Sequence, residues 1–120
     1  MKHLQKTKKK FGRKRGQRRA FIKSLAKNVI LNGRIETTET RAKAIRPVVE
    51  KLVTLAKKQT IASLRLLITR VSKEAANKLY YEIAPAHKNR AGGYMRITKL
   101  SKIRKGDSSP LAVLEFVDGK

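Results

Sequence analysis

Ten of the first nineteen residues are lysine or arginine, and no acid stands among them. Lys2, Lys6, Lys8, Lys9 and Lys10, then Arg13, Lys14, Arg15, Arg18 and Arg19, form a run suited to neutralising phosphates, each contact releasing condensed counterions. A second basic group, Lys102, Arg104 and Lys105, stands beside Gly106 and Asp107. Gly92-Gly93 precedes Tyr94, and such a pair permits either close approach of backbone to a phosphate or a tight entry into a strand. Tyr94 could stack on a base. Yet three Tyr and three Phe, mostly at core-like positions, favour recognition by shape and backbone over a sheet that reads splayed bases.

Bond-making chemistry is not indicated. The eight acids stand singly at 36, 39, 50, 74, 82, 107, 115 and 118, without a convincing carboxylate pair for acid and base work. Glu36 and Glu39 come closest, but one lies in an expected strand and the other in a first helical turn, where it opposes the helix dipole. His3 and His87 have no metal-ligand partner at helical or loop spacing and read as surface or RNA-facing residues. No GxxxxGK or post-strand GxGxxG motif occurs, and no cofactor is implied. The absence of cysteine excludes disulfides and thiolate metal sites and fits a reducing compartment.

These groups need a scaffold, and 120 residues suffice for one core. We expect a basic arm over 1–17, disordered when free, and a single domain over 18–120. The clearest element is the helix after Arg34–Thr38, where Ala42, Ile45, Val49, Leu52 and Ala56 form an apolar stripe that Val48, Val53 and Leu55 widen. Thr37 or Thr38 caps its start, Lys57 and Lys58 suit its end, and Pro47 predicts a kink or break. Ile35 and Thr37 alternate with Arg34 and Glu36 as in a short strand.

An earlier helix from about Arg18 carries Phe21, Ile22, Leu25, Ala26, Val29 and Ile30 inward and Arg19, Lys23 and Lys27 outward, ending at Gly33. Thr60 is expected to cap a helix with Ile61, Leu64, Ile68 and Val71 on its apolar side. Ser72 caps another, carrying Ala75, Ala76, Leu79, Tyr80 and Ile83, which Pro85 ends. Both serve packing. Strands over Tyr94–Leu100 and Leu111–Val117 follow, with Ala112, Leu114 and Phe116 facing helices and a cationic tip between. The reading is α+β: helix, strand, three helices, two strands, with helices on one face of a three-stranded sheet.

A net charge of +23 calls for a polyanion partner. No apolar run approaches a membrane span, and the basic start lacks a signal-peptide core. A mitochondrial presequence would also be basic and acid-free, but the following helix looks structural and serine is scarce.

RIETT at 34–38, AKAIRPVVEKLVTLAKK after Arg41, LYYEIAP at 79–85, NRAGGYMRITKL at 89–100 and RKGD at 104–107 occur in an order that resembles the bacterial-type large-ribosomal-subunit protein L17 family. The likeness runs from MKH at the start to Val117. The opening MKH and Phe11-Gly12-Arg13, where the family shows Leu-Gly-Arg, match well; the departures are Gln17 for His before Arg18 and Met95 for Thr after Tyr94. The resemblance implies a two-layer domain with a mixed sheet and a basic amino-terminal extension. It further implies a structural role on large-subunit ribosomal RNA near the peptide exit region, among neighbouring ribosomal proteins, in cytoplasmic or organellar ribosomes. It points to Lys2, His3, Gly12, Arg13 and Arg18 as RNA-side residues. In the first strand and the helix after it, it adds Arg34, Thr37, Thr38 and Lys43. Near the glycine pair it adds Arg90, Gly92, Gly93, Tyr94 and Arg96, and at the tip Arg104 and Gly106. A nucleoid-type DNA-binding protein is the alternative, since helices joined by short turns can enter a major groove, although no helix carries base-reading Asn, Gln and Arg together. An RNA-processing enzyme lacks a catalytic constellation.

Overall fold

A computed structural model of the chain describes residues 15–106 and 108–117. The expectations for residues 1–14, for Asp107 and for 118–120 lie outside the described residues. Helix α1 (Arg15–Asn32) opens three residues before the expected start at Arg18, because nothing in Arg15-Gly16-Gln17 forbids a helical turn. Ala26, Val29 and Ile30 are buried, while Phe21, Ile22 and Leu25 are half-buried beside them. Gly33 takes φ +80° and donates its N–H to the Val29 carbonyl, and its own carbonyl accepts from Phe116 N–H at 3.2 Å. One glycine thus stops the helix and starts the sheet.

Strands β1 (Arg34–Thr38), β2 (Met95–Ile103) and β3 (Pro110–Phe116) lie in the order β1-β3-β2. The sheet is wholly antiparallel, which corrects the expectation of a mixed one. A short hairpin tip can join β2 to β3 only antiparallel, and β1 then takes the free edge of β3. β1 and β2 run in the same direction but are never neighbours. The helix side of the sheet carries the row Ile35, Leu114, Ile97 and, one step along, Thr37, Ala112, Lys99. Arg34, Glu115, Arg96 and Glu36, Val113, Thr98 form the rows of the opposite face, where Val113 is buried among its neighbours in the register.

Helix α2 (Glu39–Ala56) buries Ala42, Ile45, Val49, Leu52, Val53 and Ala56 against α1 and the sheet. Thr38, rather than Thr37, caps it, its hydroxyl accepting from Arg41 N–H at 3.3 Å. Pro47 does not break the helix, and α2 continues through it. The proline is exposed, so the Lys43 carbonyl it leaves without a donor can turn to water, and burial of the stripe on the other side outweighs a local cost of about 3 kcal/mol.

Helix α3 (Ile61–Arg70) starts at a reciprocal cap between Thr60 and Ser63. Its rotation differs from the expected one. Leu67 is fully buried and Ser63 and Val71 nearly so, whereas Ile61 is 67% exposed and Leu64 and Ile68 are half-buried. The helix is apolar on more than one side, so periodicity alone could not orient it, and the cap satisfies the Ser63 hydroxyl that burial would otherwise penalise.

Ser72 caps α4 (Lys73–Lys78), which passes without interruption into a π-helical segment (Leu79–Ile83) and a last turn, α5 (Ala84–Ala86). Pro85 lies within that turn instead of ending the helix before it. In the π register Ala84 N–H donates to the Leu79 carbonyl, so the Tyr80 carbonyl would need Pro85, which has no N–H. Gln59 fills the vacancy: its Nε2 donates to Tyr80 O and Ala56 O, both at 2.9 Å, tying the π turn to the end of α2.

Candidate nucleic-acid interface

The basic side chains fall into separate groups. On the sheet face opposite the helices, Arg34 and Arg96 flank Glu115 from the two edge strands, at 3.5 and 2.8 Å, and Lys102 meets Glu36 at 3.0 Å. Glu39 sits between Lys43 at 3.0 Å and Lys99 at 3.3 Å. Hydrogen bonds from Lys43 and then Lys99 hold the Glu39 carboxyl below its ordinary pKa. Surface pairs of this kind contribute about 0–1 kcal/mol each, so they position side chains more than they stabilise the fold. Two cations share each of Glu115 and Glu39, and positive charge remains after pairing.

At the entry to β2, Lys57 Nζ donates to the Arg90 carbonyl and to the Tyr94 hydroxyl, at 3.1 Å for the latter. That bond lowers the Tyr94 pKa. The Tyr94 ring is 3% exposed and lies edge-on to His87 at 5.8 Å between centroids. It offers no free face to a base, which removes the stacking role that the residue type alone allowed. His87 is 4% exposed, correcting its assignment to the surface; its ring nitrogens lie 2.8 and 2.9 Å from the Ile83 and Val117 carbonyl oxygens. Thr38 is likewise buried at its cap, and Thr37 is half-buried on the helix side.

Gly92 and Gly93 are exposed, with open space where a Cβ would stand, and Gly93 takes φ +61°. A left-handed turn into the strand therefore accounts for Gly93, while nothing in the packing requires Gly92. At the other end of β2 the tip is closed by Arg104 N–H to Ser109 O and Ser108 N–H to Arg104 O, with Gly106 at φ +97°. Lys102, Arg104 and Lys105 are all exposed there. Nine residues of β2 put the tip about 30 Å from the glycine loop, so these groups cannot act as one pocket.

On α1, Arg19 and Lys23 are exposed and Arg18 and Lys27 half-buried; Arg15 opens the helix. The structure does not bring these together with the sheet cations. It instead places Lys51 of α2 and Arg70 of α3 near Arg19 and Lys23. Those two were missed, because nothing local marks a lysine one turn after Val48 or the last residue of α3 as belonging to the α1 surface. The arm residues Lys2, His3, Lys6, Lys8, Lys9, Lys10, Gly12, Arg13 and Lys14 lie outside the described residues. Among the described residues no cluster of His, Asp or Glu could hold a metal ion, and no helix is long and apolar enough to cross a membrane.

A family described as Ribosomal protein L17 matches residues 21–117. The large ribosomal subunit protein bL17 of Persephonella marina is 53% identical, over 98% of this chain and 96% of the relative. The protein of the same name from a Sulfurihydrogenibium species is 54% identical over 98% of each, and that from a Hydrogenobaculum species 48% identical over 92% and 95%.

Proposed function

The chain belongs to the ribosomal protein L17 family, and from that premise we propose that it binds large-subunit ribosomal RNA through its basic arm and several separate cationic faces. As a family member it is a structural constituent of the large ribosomal subunit and not an enzyme. The faces are the arm, the outer side of α1, the loop at Arg90, Gly92 and Gly93, and the tip at Lys102, Arg104 and Lys105. Their separation across about 30 Å suits a backbone-tracking contact that several RNA segments share, rather than one recognition pocket.

The observation that carries this reading is the excess of cations over carboxylates after ion pairing, within a chain of net charge +23. A compact body so charged is relieved of self-repulsion by phosphates. Exposed Ile61, Leu66, Tyr81 and Ile103 are where neighbouring ribosomal proteins would bury surface. A bacterial cytoplasm is the compartment this assembly implies.

Binding of the full chain to large-subunit rRNA, measured against salt, tests it. Removing residues 1–14 is expected to weaken binding and flatten the salt dependence, each lost phosphate contact taking about 0.7–0.9 from the slope. An unchanged slope would remove the arm from the interface. Recovery of tagged protein away from large subunits on a gradient would end the whole proposal, and a complex resistant to RNase but not DNase would favour the DNA alternative.

A further inference from the structure

Between α1, α2 and the end of α3 lies a groove of about 600 Å³. Its floor is aliphatic, made by Ile22, Ala26, Val48, Leu52 and Val71. Its rim is cationic: Arg19 and Lys23 stand on one side, Lys51 and Arg70 on the others, and no carboxylate lines it. Lys23 Nζ lies 3.5 Å from the Thr69 carbonyl and spans the gap from α1 to α3. None of the ion pairs among the described residues involves these four cations; they lie on the sheet and along α2.

An aliphatic floor under an unneutralised cationic rim selects a ligand that is flat and apolar in one part and anionic in another. A paired RNA helix offers phosphates, ribose hydroxyls and polar base edges at its surface but keeps its base faces stacked, so it could ride the rim but leave the floor wet. An unstacked nucleotide has both parts. Its base can lie on the side chains of the floor while a guanidinium stacks on it, and the flanking phosphates reach the rim. The volume lies within the range of small-ligand pockets, about 300–1,000 Å³. Arg19 and Ala20 lie about one turn from the start of α1, so the groove opens close to where the cationic arm joins the domain.

We propose that this groove receives a single extruded nucleotide from an unpaired loop or bulge of large-subunit rRNA. The inference rests on the RNA-binding reading above and adds to it a site that distinguishes single-stranded from paired RNA.

Ala20 offers a clean test, being exposed at the groove's edge and outside the core. Ala20→Trp should fill the groove from outside. The full-length variant and the unaltered chain are compared by thermal melting, by affinity for large-subunit rRNA, and by 2′-hydroxyl acylation footprints of the complexes. The expected result is an unchanged melt, a loss of about tenfold in affinity, and the disappearance of protein-dependent changes at one unpaired nucleotide while the remaining footprint persists. Should Ala20→Trp melt early, the exposed pair Lys51→Ala with Arg70→Ala replaces it, with the same expected footprint. If the unaltered chain binds rRNA and the variants give its affinity and its full footprint, the groove is not a nucleotide site, although the RNA-binding reading survives. If the unaltered chain does not bind rRNA, both fall.

Discussion

Glu115 is the most informative single side chain on the sheet. Glu115→Gln removes one negative charge and both ion pairs to Arg34 and Arg96 while keeping the shape of the side chain. The folding cost is small: two exposed pairs contribute together about 1 kcal/mol. The two guanidiniums then face each other across two strand spacings, about 10 Å, where repulsion in water is about 0.4 kcal/mol before salt screens it. A fall of about 4 °C in the melting temperature follows. RNA binding should change in the opposite direction. One more net positive charge steepens the salt dependence by about 0.7–0.9, which makes binding about five- to eightfold tighter at 0.1 M salt than for the unaltered chain, with no difference left at 1 M. Filter binding of rRNA from 0.1 to 1 M salt, beside a thermal melt, measures both. Looser binding at low salt by a variant that still melts cooperatively would refute the reasoning and mean that the carboxylate aims the arginines at phosphates. An unchanged slope would take this face out of the RNA contact.

Three further outcomes follow from the packing. Leu67→Ala should cost about 2–5 kcal/mol and Ile61→Ala under about 0.5 kcal/mol in chemical denaturation; a larger loss at Ile61 than at Leu67 would mean that α3 turns the Ile61 side inward. Tyr94→Phe takes the hydroxyl from Lys57 Nζ and should cost about 0.5–1.5 kcal/mol of stability with rRNA affinity intact, and a weaker complex with an unchanged melt would place the tyrosine on the RNA. Glu39, whose folded pKa lies below its ordinary 4.5, contributes stability that is present above that value and lost as pH falls through the lower folded one. The melting difference between the unaltered chain and Glu39→Gln should therefore shrink below about pH 4.5, and a constant difference down to pH 2 would contradict the ion pairing.

What could be read from the sequence was what neighbouring residues decide. Thr60, Ser72 and Gly33 announce their roles within three or four positions, and the stripe on α2 is dense enough to orient that helix unaided. The misreadings all needed a partner far along the chain. Pro47 looks like a break until the core on the other side of α2 is counted. The π turn before Pro85 depends on Gln59 supplying a donor from 21 residues away. His87 looks like a free loop residue, yet Val117, 30 positions on, faces its ring. Tyr94, next to a glycine pair, could by its type have stacked on a base, but Lys57 just after α2 bonds its hydroxyl and the ring is buried. The same limit applies to the charge pattern: the cations of the arm and tip are dense in sequence and stand out there, while Lys51 and Arg70 join Arg19 only in three dimensions.

The distribution of the acids gives the charge a direction. Glu36, Glu39, Glu50 and Glu115 all engage cations of the sheet and α2, so that side carries its positive charge partly neutralised and held in fixed geometry. The α1–α3 side has no such carboxylates at its groove. Since the electrostatic part of RNA affinity grows with the cations not already paired, the α1 side should contribute more of the salt-dependent binding and the sheet side more of the orientation. Lys51→Ala with Arg70→Ala should accordingly flatten the salt slope by more than Arg34→Ala with Arg96→Ala, because the latter pair also frees Glu115 to repel phosphates and so lowers affinity without removing as many unpaired charges. Equal flattening by the two double variants would show that the carboxylates let go of their arginines when RNA arrives.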